Sequence, residues 1–380
     1  MNMVQRRPAG SASIRATASG ATAARQAPAR RVAGWLRTAA LFVAALFLFV
    51  GALQLMKTGA ASLDVLQNKG VLVRNPGATL GLGWIGALFV LSGSPVAASA
   101  LTLVAGGAIS EIQGFTMLTG SRLGAAFVVL VVAVVYALRG GAGRKRPVST
   151  GVMALSTTAL VYVPAAGIGY AILSWAPFHS LQLTFPHQFT DIIDLVYGGL
   201  LARVEGWNAG IIFAGGLAAL LLSFKLIDAV MPELDEQRLG RRSSWVRRKW
   251  PMFALGSLVA LITMSVSVAL TVLVPLVSKR YVKREDIIPY IMGANITTLG
   301  DTMLAAFALG SPAAVRIVLA EVIATSILSV ALLAFFYLPV RRVVWRFQRQ
   351  MLVSRPRLAA FTASLFLVPI SIIAVSNLVA

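Results

Sequence analysis

Cysteine is absent from all 380 residues, and histidine occurs only at His179 and His187. The first absence excludes disulfides, thiolate nucleophiles and cysteine metal sites. Two histidines are too few for a histidine-based metal centre. Charge is scarce as well: 12% of residues, against about 25% in soluble domains. No phosphate-cradling lysine loop and no nucleophile–base constellation is visible. The chain therefore reads as no enzyme, with no cofactor and no ATPase of its own.

What remains is apolar. Hydrophobic residues make up 58% of the chain and the mean hydropathy is +0.81. Several runs of roughly 20 residues carry few or no charges, the length of a membrane-crossing helix. The runs are continuous, which argues against a barrel of alternating strands. The expected class is an all-α polytopic membrane protein, multi-pass in the cell membrane with the lipid bilayer as its first partner. The runs lie at Trp35–Met56, Leu80–Ile109, Ile112–Leu138, Gly151–Trp175, Trp207–Met231, Pro251–Val277, Ile287–Leu309, Ala313–Leu338 and Leu358–Leu378.

Acids are the scarcest charge, 13 against 34 Lys and Arg. The bases gather in short linkers, which is the positive-inside pattern and not a nucleic-acid module. "RGGAGRKRP" (139–147), "RLGRRSSWVRRK" (238–249), "SKRYVKRE" (278–285) and "RRVVWRFQRQMLVSRPR" (341–357) are the basic linkers. The connection 176–206 holds a single base, Arg203, and reads as an external loop. Residues 1–33 contain no acid and are rich in Ala, Arg, Ser and Thr. They read as a disordered cytoplasmic tail, although Arg-rich, acid-poor leaders also have the character of transit peptides.

Two of the apolar runs are interrupted. "LSGSPVAAS" (91–99) and "MSVSVALT" (264–271) place Ser, Gly and Pro where a plain membrane helix carries leucine. With the N-terminus inside, full crossings by both runs scatter the basic linkers over both sides. If 80–109 and 251–277 are re-entrant hairpins, every basic linker falls inside and the C-terminus outside. The spacing also repeats. Ser92-Gly93-Ser94 precedes Gly120-Ser121-Arg122, and Ser265-Val266-Ser267 precedes Gly293-Ala294-Asn295, each element 173 residues from its counterpart. Equal spacing at opposite orientation implies two inverted-topology repeats, 34–138 and 251–338, with peripheral helices around them. That is a transporter architecture with a site at the midplane. The segment 139–250 then connects the repeats and includes the basic loop 232–250. The segment 339–357 is a second basic loop, and 358–380 a final transmembrane helix.

Residues around both interruptions carry a resemblance. "LQLMKTGAASLDVLQ" (53–67), "NPGATLGLGWIGALF" (75–89), "IMGANITTLGDTMLAAF" (291–307) and "AAVRIVLAEVIATSIL" (313–328) are similar to the type II sodium–phosphate cotransporters and their bacterial relatives. The likeness spans roughly 53–127 and 252–338. The family carries a Gln-Ser-Ser-Ser hairpin motif twice, each followed by a Gly-Ala-Asn-Ile-Gly-Thr-Thr-like segment. The resemblance implies Na⁺-coupled symport of inorganic phosphate or a related oxyanion by alternating access. It places Ser92, Ser94, Ser265, Ser267, Asn295, Thr297 and Thr298 at the substrate. This chain departs from the family at Leu91 and Met264, which stand for the glutamines, and at Gly93 and Val266, which stand for middle serines. Arg122 stands for the first asparagine, and Glu321 for a histidine frequent in relatives. The alternative is a non-transporting membrane scaffold or regulatory subunit on a degenerate transporter fold.

Asp301 and Glu321 are carboxylates inside apolar runs, where such groups face a cavity or a partner. They are the candidates for ion coupling, with Na⁺ as the ion. Arg122 and Arg316 are their candidate counter-ions. Glu111, Glu285 and Asp286 lie near run ends and read as solvated.

The cysteine-free background makes the topology testable. Single cysteines at Arg144, Arg247, Lys283 and Arg346 should label only from the cytoplasmic side, and one at Pro186 only from outside. External labelling at 247 or 283 removes the two-hairpin topology.

Overall fold

Leucine, valine and alanine runs bury their backbone polar groups most cheaply as helix. In the computed structural model all regular structure among the described residues is helical. The structure describes residues 13–62, 72–139, 145–180, 187–204, 206–230 and 248–379, without side chains at 13–35, 145 and 187–190. In chain order the helices are α1 (Ser13–Ala61), α2 (Pro76–Val90), α3 (Ser94–Ala105), α4 (Glu111–Ala125), α5 (Phe127–Arg139), α6 (Lys145–Ser174), α7 (Ala176–His179), α8 (His187–Val204) and α9 (Ala209–Val230). After residue 247 come α10 (Lys249–Thr263), α11 (Val266–Thr271), α12 (Leu273–Ser278), α13 (Ile287–Thr297), α14 (Leu299–Ala308), α15 (Pro312–Ala334), α16 (Tyr337–Met351) and α17 (Arg355–Val379).

Among the described residues six stretches are long and apolar enough to cross a membrane: 36–61, 111–139, 146–174, 209–230, 312–334 and 355–379. This is a multi-pass membrane protein by length and composition. Both interrupted runs are helix–break–helix units of shorter helices, α2–α3 and α10–α11–α12. The chain is stopped in the same way in each. α2 ends on Leu91 with φ 56° and α10 on Met264 with φ 45°, both left-handed. α3 restarts at Ser94 with Pro95 in its first turn, where proline's missing N–H is harmless. α11 restarts with the Ser265 hydroxyl accepting from the Val268 amide at 3.4 Å.

The 173-residue spacing recurs in the packing. α2 (76–90) and α10 (249–263) are the same 15 residues under that offset. α2 lies against α4 as α10 lies against α13. A Cβ on Gly83 would run into the Met117 carbonyl, and one on Gly256 into the Tyr290 carbonyl. Gly120 meets the Leu80 carbonyl, and Gly293 the Phe253 carbonyl. All of these partners are 173 apart. Glycine at these positions lets two helix backbones touch, which is how helices associate where lipid removes the hydrophobic drive. The breaks that follow, at Ala126 and Thr298, agree with the offset to within one residue. The short arms then cross over. α3 packs on α14 and α15, and α11–α12 on α5 and α6. Each unit thus completes its core with helices of the other.

Several expectations are corrected. Helix α1 begins at Ser13, so the tail expected to be disordered is helical over 13–33; alanine and arginine are strong helix formers. Residues 1–12 lie outside the described residues. The connection 176–206 is not a plain loop, since it contains α8, whose Tyr197 hydroxyl donates to the Phe47 carbonyl of α1 at 2.7 Å. The basic segment 339–357 is mostly helix α16, amphipathic, with Val340, Val344 and Gln348 buried. The run 287–309 is broken at Thr298. The basic linker positions 140–144 and 231–247 lie outside the described residues.

Close backbone contact predicts a sharp contrast among glycines. Gly120→Val and Gly293→Val should each destabilise the protein by about 1–3 kcal/mol or more, the range for overpacking. Gly215→Ala and Gly300→Ala, which open onto free space, should stay within about 0.5 kcal/mol. Thermal unfolding in detergent micelles measures both.

Candidate functional site

The two breaks meet. The Ser267 hydroxyl on α11 donates to the Leu91 carbonyl at the end of α2, at 3.1 Å. That carbonyl is an orphan of a terminated helix, so a side chain of the second unit satisfies a backbone group of the first. Ser92 and Ser267 are partly exposed, whereas Ser94 and Ser265 are buried. All four serines of the expected substrate set therefore lie in or beside the breaks. The first break rests on α4. A Cβ on Gly93 would sit 3.0 Å from the Ser121 carbonyl, next to Arg122. At the second break, Asp228 of α9 faces the Ser265 hydroxyl and stands within electrostatic reach of Asp301.

Behind the breaks lies a buried ionic cluster. Arg122 on α4 is 2% exposed, Asp301 on α14 is 5% and Glu321 on α15 is 0%. Arg122 Nη2 lies 3.6 Å from Asp301 Oδ1. Thr302 sits between them, accepting from Nη2 and donating to Oδ1 at 2.8 Å. Glu321 Oε2 accepts from Thr119 Oγ1 at 3.0 Å. Tyr162 on α6 is close enough to Arg122, Asp301 and Glu321 for their charges to act on it. Its hydroxyl donates to the Asn295 carbonyl at 2.8 Å, and Asn295 Nδ2 donates to Thr158 at 3.2 Å. Helices α4, α13, α14 and α15, together with α6, converge here.

The cluster is incompletely satisfied. Arg122 Nε and Nη1, Asp301 Oδ2 and Glu321 Oε1 are buried with no hydrogen-bond partner. Buried polar groups are almost always paired, so such a gathering calls for a specific explanation. The two donors are suited to an anion. The two carboxylate oxygens are suited to a cation.

The other expected residues fare differently. Thr297 donates to the Ser257 carbonyl at 2.9 Å and Thr298 to the Asn295 carbonyl at 3.2 Å, so both hydroxyls are committed to helix backbone. Arg122 is ion-paired with Asp301. Arg316 is a correction: it forks onto Glu111 of α4, with Nε at 3.4 Å from Oε2. Helical spacing explains this, since residues five apart do not face each other, and Arg316 and Glu321 are five apart. Glu111 and Glu285 are therefore ion-paired, Glu285 with Arg341, where solvated carboxylates were expected.

Sequence reading missed Thr119, Tyr162, Asp228 and Thr302. Asp228 was open to the argument used for Asp301, being an acid within an apolar run. Thr302 neighbours Asp301. Tyr162 carries no local signal. No family model, curated protein or solved structure matches the chain.

Removing one member of a buried pair strands the other. Arg122→Gln and Asp301→Asn should each cost about 3–5 kcal/mol. The double variant should cost clearly less than the sum. Additive losses in a thermal-unfolding cycle would mean the two groups are not coupled.

Proposed function

We propose that the protein is a secondary active transporter, moving a small oxyanion such as inorganic phosphate with Na⁺ by alternating access. One observation carries the reading. Two matched helix breaks, equivalent at an offset of 173 residues, touch through Ser267 and Leu91 beside a buried cluster of one guanidinium and two carboxylates. In transporters built from internal repeats, broken helices bring partial charges and free backbone groups to a central site. A scaffold has no use for three buried ionisable groups, which are expensive in an apolar phase.

In this reading the two units lie in opposite orientation across the membrane, as re-entrant hairpins. The basic linkers then all face the cytoplasm, consistent with the positive-inside rule. The tip serines contribute hydroxyls, and the amides opening α3 contribute donors and partial positive charge. Alternate exposure follows if the units, each held rigid by its own glycine-lined contacts, rock against one another while the Ser267–Leu91 bond opens. The resemblance to the sodium–phosphate cotransporters supports the same substrate class. The apolar residues at positions 91 and 264 favour a second reading, a non-transporting membrane subunit, since they supply no amide to an anion.

Uptake separates the two. Vesicles containing the purified protein should accumulate labelled phosphate, or sulfate or a small carboxylate, when an inward Na⁺ gradient is imposed. They should not do so with choline in place of Na⁺. Ser267→Ala should slow uptake while leaving expression unchanged. Absence of uptake for all three anions would favour the subunit reading.

A further inference from the structure

The buried arginine holds the more specific information. Its guanidinium is 1% exposed as a side chain, yet only Nη2 is engaged, and Nε and Nη1 have no partner. A guanidinium recognises an oxyanion with two parallel N–H groups. Cδ occupies the remaining side, so the usable edges are Nε with Nη2 and Nη1 with Nη2. Nη2 belongs to both. In this structure Nη2 is held by Thr302 and, at 3.6 Å, by Asp301 Oδ1.

From this we infer that Arg122 is the anchor of the transported oxyanion and that Asp301, with Thr302, is its placeholder in the anion-free state. The inference rests on the transporter reading above. Nη2 gives one N–H to each edge, so two-point capture of an oxyanion on the edge that Thr302 and Asp301 face must take that N–H from them. Asp301 already has one bare oxygen, Oδ2, and the exchange leaves its carboxylate without its positive neighbour. A cation must then replace the guanidinium. Anion binding therefore creates the cation site, and cation binding at Asp301 frees the guanidinium for the anion. This is a coupling free energy, reciprocal by necessity.

The charge count points the same way. One guanidinium and two carboxylates, Asp301 and Glu321, lie buried together. An entering oxyanion adds negative charge to a buried cluster that holds a single guanidinium. Only with accompanying cations does the loaded site approach neutrality, which burial demands. An arginine that merely neutralised Asp301 for folding would use a complete fork on that carboxylate, as Arg316 does on Glu111 with both Nε and Nη2. Arg122 meets Asp301 with one nitrogen at a long distance.

The test uses full-length protein in lipid nanodiscs, with inorganic phosphate, sulfate and acetate as probes. Binding is read by calorimetry and by the shift in unfolding temperature, in NaCl and in choline chloride. Wild type should bind at least one of the three more tightly in Na⁺. Arg122→Lys keeps the charge but loses the fork, and should bind that anion at least tenfold more weakly. Asp301→Asn leaves the guanidinium without its placeholder. It should therefore be stabilised by that anion more than wild type is, and without need of Na⁺. If wild type binds and Arg122→Lys binds equally well, or the anion fails to stabilise Asp301→Asn beyond wild type, this inference falls while the transporter reading stands. If Asp301→Asn does not fold without anion, recovery of folded protein on adding the anion supports the inference, and no recovery overturns it. Should wild type bind none of the three anions in either salt, both readings fall.

Discussion

A buried guanidinium held by a single nitrogen is the feature on which the rest of the structure depends. Arg122 and Asp301 stand on α4 and α14, 179 residues apart in the chain, and their contact is one of several polar links between the two interrupted regions. Both charges lie where water does not reach. Desolvation of each ion is worth several kcal/mol, and the mutual attraction offsets it only with good geometry and extra hydrogen bonds. Here the geometry is poor and four polar atoms of the cluster lack partners. The surrounding packing must hold the cluster in place. Glycine-mediated backbone contacts on both sides, at Gly83 and Gly120 and again at Gly256 and Gly293, supply that rigidity.

The same demand for satisfied polar groups governs the helix ends. The last carbonyls of α14, at Ala308 and Leu309, accept from Gln54 at 2.8 Å and Lys57 at 3.3 Å on α1. The last carbonyls of α15, at Leu333 and Ala334, accept from Lys249 at 2.9 and 3.4 Å. The C-terminal end of a helix leaves four such carbonyls without intrahelical donors, and a cation beside them also meets the negative end of the helix dipole. Gln54 and Lys57 thus have a plain structural use. Their place in α1 explains how the first helix is tied to α14.

Much of this was legible in the sequence. The apolar runs and both interruptions were readable because membrane helices announce themselves by length, and because Ser, Gly and Pro are conspicuous inside them. The offset of 173 residues survived into the packing because the glycines that set it are required for backbone contact. The partners of charged groups were less legible. Asp301 and Arg122 are far apart in the chain, and only the crossing of the two units brings them together. Arg316 and Glu321 are near in sequence but point apart, while Arg316 and Glu111 are distant and meet. The basic segment around Arg341 to Arg349 reads as a linker by charge alone. Yet Val340, Val344 and Gln348 recur every four residues, the spacing of one helical face, and that signal was available.

The breaks themselves bear on what the fold is for. Leu91 and Met264 adopt φ of 56° and 45°, a conformation that costs a non-glycine residue about 1–2 kcal/mol. Glycine would relieve that strain at no steric expense, and glycine is abundant in this chain. Strain kept at two positions 173 residues apart argues for a demand on the side chain or on the carbonyl that follows from the turn. At position 91 the carbonyl has a visible use, as the acceptor for Ser267. A left-handed residue turns the chain abruptly, leaving the final carbonyls of the preceding helix without intrahelical donors. The first unit thereby offers a bare acceptor, and the second answers with a hydroxyl. That contact is one hydrogen bond, worth only about 0.5–1.5 kcal/mol net. It is strong enough to bias the tips together and weak enough to break on thermal timescales. Next to it, the glycine-lined helix pairs have no such freedom. The molecule therefore combines two rigid, intertwined units with a light polar latch where they meet, and the unsatisfied charges lie directly behind the latch.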